Sequence, residues 1–393
     1  MIAQYLVKIA LVHKRLDLNG GTERDLFKTA EGLRDLGHEV HLFCSEYKVD
    51  VPKKIVAHSI PVIPLGRTLR LWSFAWRAPA VIARANCDIV ISFGRLLRQD
   101  ILRSGGGTHR RFLKGLAQQG GIRRRIWQRL SVYHRSLLAL EKRQFAPANS
   151  RLIIAVSEQV KQDIVCNYAV PPERIIVLYN GVDTERFHPD TSRQIREQVR
   201  NRWKIPSDAP LVLFVGSGFR RKGLDALLSL WESPRIKPLY LLVVGADARL
   251  SRYRARANAI APGRVVFTGR QDDIENYYAA ADVVALLSIQ EAFGNVLLEA
   301  LASGLPVLVT RNVGACEIVQ GPFREGVIDV TDPREVQADK LLALLKSSHQ
   351  PEIRRKARSL AEAYSWGKHF ARLERLLTEA RPISRGGSDS VPN

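Results

Sequence analysis

Cysteine is scarce and scattered in this chain of 393 residues: Cys44, Cys87, Cys166 and Cys316 stand far apart, with no Cys-x-x-Cys pair among them. That spacing excludes a disulfide framework and a cysteine zinc site, and it fits a reducing cytosol. Spacings such as Asp-x-Asp or His-x-x-x-His are also missing, so no metal is expected at the site. No uninterrupted run of about 18 apolar residues occurs, and no membrane-spanning helix is expected. The stretch from Tyr5 to His13 is apolar, but Lys8 interrupts it, and neither a basic leader nor a small-residue cleavage site accompanies it. It reads as a first buried strand and not as a signal peptide. Acidic residues are in deficit: 39 Asp and Glu face 60 Lys and Arg, a formal net charge of +21. This predicts an anionic partner, with nucleic acid, anionic lipid and phosphorylated glycan all open on charge alone.

What is present is the alternation of an α/β protein. A hydrophobic content of 46% suits a chain with sizeable cores, and the length suits two domains. Apolar β-rich runs alternate with helical patterns, the mark of parallel sheets. A first series holds the strand Tyr5 to His13, a helix from about Thr22 to Leu36, and strands Glu39 to Cys44, Asp88 to Ser92 and Leu152 to Val156. The run from Ile175 to Pro189 ends a strand and enters a polar, charged linker. A second series restarts at Leu211 to Val215 and continues through Leu239 to Val244, Val265 to Phe267, Val283 to Leu287 and Pro306 to Thr310. The expected domains are 1–188 and 189–365, with a last helix at 366–380 crossing back and a disordered Gly-, Ser- and Pro-rich tail at 381–393. Two sheets imply a cleft, with ligands outside the carboxyl ends of the strands.

Three segments would lie at such ends. In Glu291-Ala-Phe-Gly-Asn-Val-Leu-Leu-Glu299, Gly294 and Asn295 break the chain before a short apolar helix that stops at Gly304. Glu291 then sits on a loop and Glu299 about one turn into the helix, while unpaired amides near Asn295 and Val296 form an anion site. A diphosphate flanked by carboxylates that accept from hydroxyls is the pattern of a nucleotide-sugar. Gly216-Ser-Gly-Phe-Arg-Arg-Lys-Gly223 follows a strand but fits neither phosphate-loop fingerprint: Arg221 stands where the dinucleotide motif needs glycine, and Leu224 follows Gly223 where a Walker loop needs Ser or Thr. A nicotinamide-dependent dehydrogenase is thereby excluded. Arg221 and Lys222 remain as a cation pair suited to a leaving diphosphate. In the third segment, Gly20 and Gly21 precede a helix carrying Asp25, where backbone approaches a ligand closely.

Together these segments resemble the retaining GT-B glycosyltransferases with a Glu-x7-Glu motif, the group 1 type. The interdomain run Asn180-Gly-Val-Asp183 adds to the likeness. The resemblance implies two Rossmann-like domains facing a central cleft and a nucleotide-sugar as substrate, with no cofactor. It implies that Glu291 faces the donor sugar, that Glu299 binds the ribose, and that Arg221 and Lys222 neutralise the departing phosphate. It further implies that Arg270 lies beside the base, that Gly20 and Gly21 lie beside the diphosphate, that Asp25 faces a sugar and that His109 touches the donor sugar. Within the family, the lipopolysaccharide core glucosyltransferases resemble the chain most in Gly20-Gly21 with Arg24-Asp25, in Arg221-Lys222-Gly223, and in Glu291 to Glu299 followed by Gly304-Leu-Pro-Val. Phe293-Gly294-Asn295 and the surroundings of His109 depart from that branch.

From Arg103 to Arg143 the chain is dense in Arg and Lys, including Arg123, Arg124, Arg125 and Arg129. Ile126, Leu130, Tyr133, Leu137 and Leu140 recur at helical steps, which predicts a basic amphipathic helix. Such a helix suits an anionic bilayer. The expected partners are therefore a nucleotide-sugar donor, which the resemblance implies is UDP-glucose, an anionic lipid-linked glycan acceptor, and peripheral contact at the cytoplasmic face of the inner membrane. The competing reading is a noncatalytic nucleic-acid-binding protein using 103–143, but the aromatic interleaving of a single-strand reader is thin there.

Overall fold

The computed structural model describes residues 6–18, 20–116, 130–189 and 193–379. Contacts divide the chain into two units: one runs to Leu178 and resumes at His369, the other is Tyr179–Lys368.

In the first unit, seven parallel strands, β1 (Lys8–Val12), β2 (Glu39–Cys44), β3 (Val56–Ser59), β4 (Ile89–Ser92), β5 (Gln99–Ser104), β6 (Ser150–Ala155) and β7 (Ile175–Val177), lie in the order β3-β2-β1-β4-β5-β6-β7. Alternate side chains of β1 serve two cores. Ile9 and Leu11 pack with Leu26 and Leu33 of the helix Gly21–Asp35, whereas Ala10 and Val12 pack with Phe74, Ala78 and Ile82 of the helix Gly66–Ala83. Leu373, Leu376 and Leu377 of the last helix, Trp366–Glu379, join the first of these cores.

In the second unit, β8 (Leu211–Val215), β9 (Tyr240–Val244), β10 (Val265–Gly269), β11 (Val283–Leu286), β12 (Val307–Thr310) and β13 (Val327–Ile328) are ordered β10-β9-β8-β11-β12-β13, again all parallel. Each sheet reverses its order once, between β1 and β4 in the first and between β8 and β11 in the second. Such a switch point leaves a crevice beyond the strand ends, because the helices that follow the two strands depart to opposite faces.

Two expectations are corrected. The charged linker after Pro189 contains a helix, Arg193–Arg202, whose Arg200 is almost fully buried. Its guanidinium donates to the carbonyls of Ala280, Pro206, Ser207 and Ala209 and to Asp282. The other is the basic amphipathic helix expected over the stripe Ile126 to Leu140, which among the described residues is the helix Val132–Phe145 alone. Arg103 belongs to the buried strand β5, residues 109–116 are helical, 117–129 fall outside the described residues, and a separate helix, Val132–Phe145, begins at Ser131, whose hydroxyl accepts from the His134 amide. Leu137 and Leu140 are buried as the periodicity predicts, but Leu130 precedes the cap and is exposed. The stripe also contains Glu141, fully buried and bound to Arg95. The tail 381–393 lies outside the described residues.

Candidate active site

At the switch point of the second unit, the loop after β8 meets the loop after β11. Gly223 makes this possible: it has φ +81, and a Cβ there would lie 1.8 Å from the carbonyl oxygen of Leu287. No other residue allows that approach. The Ile289 amide donates to the Arg221 carbonyl at 3.0 Å, while Glu291 is held by its amide on Asn312 and by the Gly314 amide on its carbonyl, both at 3.1 Å. These ties bring three charges together. Glu291 Oε2 accepts from Arg221 Nη1 at 2.5 Å and from Lys222 Nζ at 2.7 Å. Lys222 is nearly buried and Arg221 half exposed. Burial alone would raise the pKa of Glu291, but Lys222 and Arg221 outweigh it and hold the carboxyl below its ordinary range.

The helix Asn295–Ala302 starts four residues later, after Gly294 with φ +98. Val296, Leu297 and Leu298 are buried and seat the helix. The amide of Leu297 donates to the Gly294 carbonyl at 2.9 Å, while those of Asn295 and Val296 open the helix, where backbone donors lack intrahelical acceptors and suit an anion. Asn295 is itself fixed, its Oδ1 accepting from Asn180 Nδ2 at 2.8 Å. One turn on, Glu299 Oε2 accepts from the hydroxyl of Tyr278 at 2.6 Å. Tyr278 is fully buried, edge-on to Phe187. Arg270 follows β10 and is exposed. The second unit therefore brings Arg221, Lys222 and Glu291 into contact and sets Gly294, Asn295, Val296 and Glu299 on the adjoining helix.

The first unit holds Gly20, Gly21, Asp25 and His109. Gly20 caps the helix Gly21–Asp35, and Glu23 folds back so closely that a Cβ on Gly20 would lie 2.1 Å from Glu23 Oε2. Glu23 also faces His13, with 3.7 Å between Oε1 and Nε2. Burial would raise the Glu23 pKa, but His13, the backbone amide and Lys14 bring it to about 2. Asp25 is not an open sugar ligand: its two oxygens accept from Arg103 Nε and Nη2 at 2.5 and 3.0 Å, with both side chains buried. The loop Ser104 to Gly106 passes beside it, since a Cβ on Gly105 would lie 3.8 Å from Asp25 Oδ2.

His109 begins the helical run 109–116. Its amide donates to Glu141 Oε1 at 2.7 Å, and its Nε2 shares a hydrogen with His134 Nδ1 at 3.0 Å. Burial, with help from Arg95 and His134 and against Glu141, lowers its pKa to about 4, so the ring is neutral near pH 7. Glu141 also accepts from the Arg110 amide and the hydroxyl of Tyr168. Arg103, Glu141 and Tyr278 were not singled out as site residues from sequence. The first two were hidden in a segment read for its basic charge, and Tyr278 in an apolar helix.

Comparison with known proteins adds a lineage. Residues 19–186 match the family Glycosyltransferase Family 4 and residues 195–362 the family Glycosyl transferases group 1. The chain is 30% identical over 303 residues to the lipopolysaccharide glucosyltransferase WaaG of Escherichia coli strain K12, across 75% of this chain and 78% of that protein. It is 29% identical over 247 residues to a D-inositol 3-phosphate glycosyltransferase of Corynebacterium aurimucosum, across 60% and 58%. The crystal structure of WaaG superposes with a TM-score of 0.78 at 24% identity, covering 96% of this chain and 100% of that one. Anabaena Alr3699/HepE in complex with UDP-glucose does so at 0.70 and 18% identity, covering 95% and 100%. Both likenesses are of fold.

Proposed function

The chain belongs to the group 1 glycosyltransferases of GT-B fold, close to the lipopolysaccharide core glucosyltransferases, and from that membership we propose that it is a retaining hexosyltransferase carrying glucose from UDP-glucose to a lipid-linked glycan such as a lipopolysaccharide core heptose. The observation that carries this reading is the Arg221–Lys222–Glu291 contact at the switch point, beside a helix start with Glu299 one turn further on.

In this reading the diphosphate lies against Arg221, Lys222 and the amides of Asn295 and Val296, and Glu299 accepts from the ribose hydroxyls. The bond from the sugar C1 to the β-phosphate oxygen breaks, and its electron pair leaves with the diphosphate onto the two cations. Glu291 offsets the positive charge that grows on the sugar. The acceptor hydroxyl then bonds to C1 on the face just vacated, and its proton passes to the departing phosphate oxygen. Fixed cations supply the charge that a divalent metal supplies elsewhere, so the transfer is metal-independent. The relative named a lipopolysaccharide glucosyltransferase supports the choice of sugar and acceptor.

Peripheral membrane contact is part of the same proposal. Among the described residues no helix is long and apolar enough to cross a membrane. The helix Gly66–Ala83 leaves Leu69 and Trp76 exposed, as is Leu65 before it, beside Arg67 and Arg77. It packs against Val132–Phe145, where Arg67 covers the ring of Tyr133 at 4.1 Å and Leu130 and Val132 are exposed. Apolar side chains among arginines suit an anionic lipid surface on the cytoplasmic side.

The test is radiolabelled transfer from UDP-glucose to a heptose-terminated core lipopolysaccharide in the presence of EDTA, with the linkage read by NMR. An α-glucosyl product supports the proposal. An inverted product, or transfer only with added metal, contradicts it.

A further inference from the structure

The anion that Arg221 and Lys222 hold in this structure is the chain's own. A single oxygen, Glu291 Oε2, accepts from both cations. Each of the three groups is fixed by its surroundings: the Lys222 stem is nearly buried, the Arg221 carbonyl accepts from Ile289, and Glu291 is tied on both sides of its peptide to the segment 312–314. A diphosphate on this pair calls on the same two donors as Glu291. The trio carries net positive charge, so an anion is attracted, but a carboxylate already holds a donor of each cation and offsets its charge.

We propose that Glu291 competes with the diphosphate for Arg221 and Lys222 and thereby drives release of the nucleoside diphosphate after transfer. This rests on reading the site as a donor diphosphate site. With an intact donor, the displaced carboxylate gains new partners in the sugar, its hydroxyls and the charge developing at C1. Once the sugar has moved to the acceptor those partners are gone. The carboxylate then finds its best partners in the two cations and opposes the product that still occupies them. Binding energy is directed to the donor and withheld from the product. A residue that served the sugar alone would have no effect on a ligand that lacks the sugar.

That difference is the test. Affinities of the full-length protein for UDP and for inorganic pyrophosphate are measured by calorimetry in the wild type, in Glu291→Gln and in Glu291→Ala, with thermal melts to establish folding. Removal of the competing charge is expected to tighten both ligands by about five- to tenfold and to slow UDP release while transfer falls. The gain shrinks with added salt, because Arg221 is half exposed. Unchanged or weaker affinity for both ligands in the two folded variants overturns the inference. Failure of the wild type to bind UDP overturns the donor-site reading instead, and the pyrophosphate titration still reads the competition at the cations.

Discussion

The guanidinium of Arg103, on β5, occupies both carboxylate oxygens of Asp25, one turn into the helix Gly21–Asp35, at 2.5 and 3.0 Å with both side chains almost fully buried. This pair ties the helix behind the Gly20-Gly21 turn to the strand that leads into Ser104 to Gly106. Removing one member leaves the other charged and uncompensated. Asp25→Ala is expected to destabilise the first unit by about 3–5 kcal/mol, and Arg103→Met combined with Asp25→Leu to recover much of that loss. Denaturant midpoints at unchanged slope measure it.

The hydroxyl of Tyr278 fixes one oxygen of Glu299 at 2.6 Å. If Glu299 reads the ribose, Tyr278→Phe loosens that reading without touching the cations. The variant is expected to bind UDP about three- to tenfold more weakly, and to distinguish UDP from 2′,3′-dideoxy-UDP less well than the wild type. Equal discrimination in both proteins would leave Tyr278 a packing residue only.

His109 links stability to pH. In the folded chain its pKa is about 4, mainly through burial, against an ordinary value of 6.5. As pH falls, the unfolded chain takes up this proton first, so protonation favours unfolding. The contribution of a neutral His109 is therefore fully present above about 6.5, declines toward about 4, and is constant below that. Glu23 acts in a lower window: its folded pKa is about 2, so its contribution is present above the ordinary carboxylate range and is lost as pH falls toward 2. Denaturation of the wild type and His109→Gln between pH 4 and 7 is expected to show a shallower pH dependence in the variant.

The exposed Leu69 and Trp76 test the membrane proposal. Replacing both with serine is expected to lower binding to vesicles containing phosphatidylglycerol by about tenfold, with UDP affinity unchanged. Binding that persists in the variant, or that ignores the anionic lipid fraction, would contradict it.

The sheets of both units were largely legible because their strands are apolar, β-branched runs. Glu39 to Cys44 and Leu211 to Val215 fall at the observed bounds, and other strands within a few residues. Strand β5 was missed because its polar side chains are satisfied internally: Gln99 donates to the Asn149 carbonyl, Asp100 accepts from the Val90 amide, and Arg103 pairs with Asp25. Strand β3 is a short, largely exposed edge, and the helix Gly66–Ala83 mixes exposed and buried apolar residues around Pro79, which blurs its stripe. Net charge does not locate a binding surface, for a related reason. Arg200 and Arg358 serve backbone carbonyls, and composition does not separate an arginine that braces a loop from one that meets a partner. Glu291 and Glu299 were visible from spacing, but their companions Lys222 and Tyr278 meet them only through the crossover of the sheet.

The proposed function requires the second unit to bind a uridine nucleotide-sugar through the Glu299 helix and the Arg221–Lys222 pair. Calorimetric titration of the full-length protein with UDP, with GDP and NAD alongside and Glu299→Ala as the paired variant, tests it most directly. UDP binding in preference to GDP and NAD is expected, with a loss of about tenfold or more in Glu299→Ala. A folded wild type that binds none of the three, or a variant that binds UDP as well as the wild type, would contradict it.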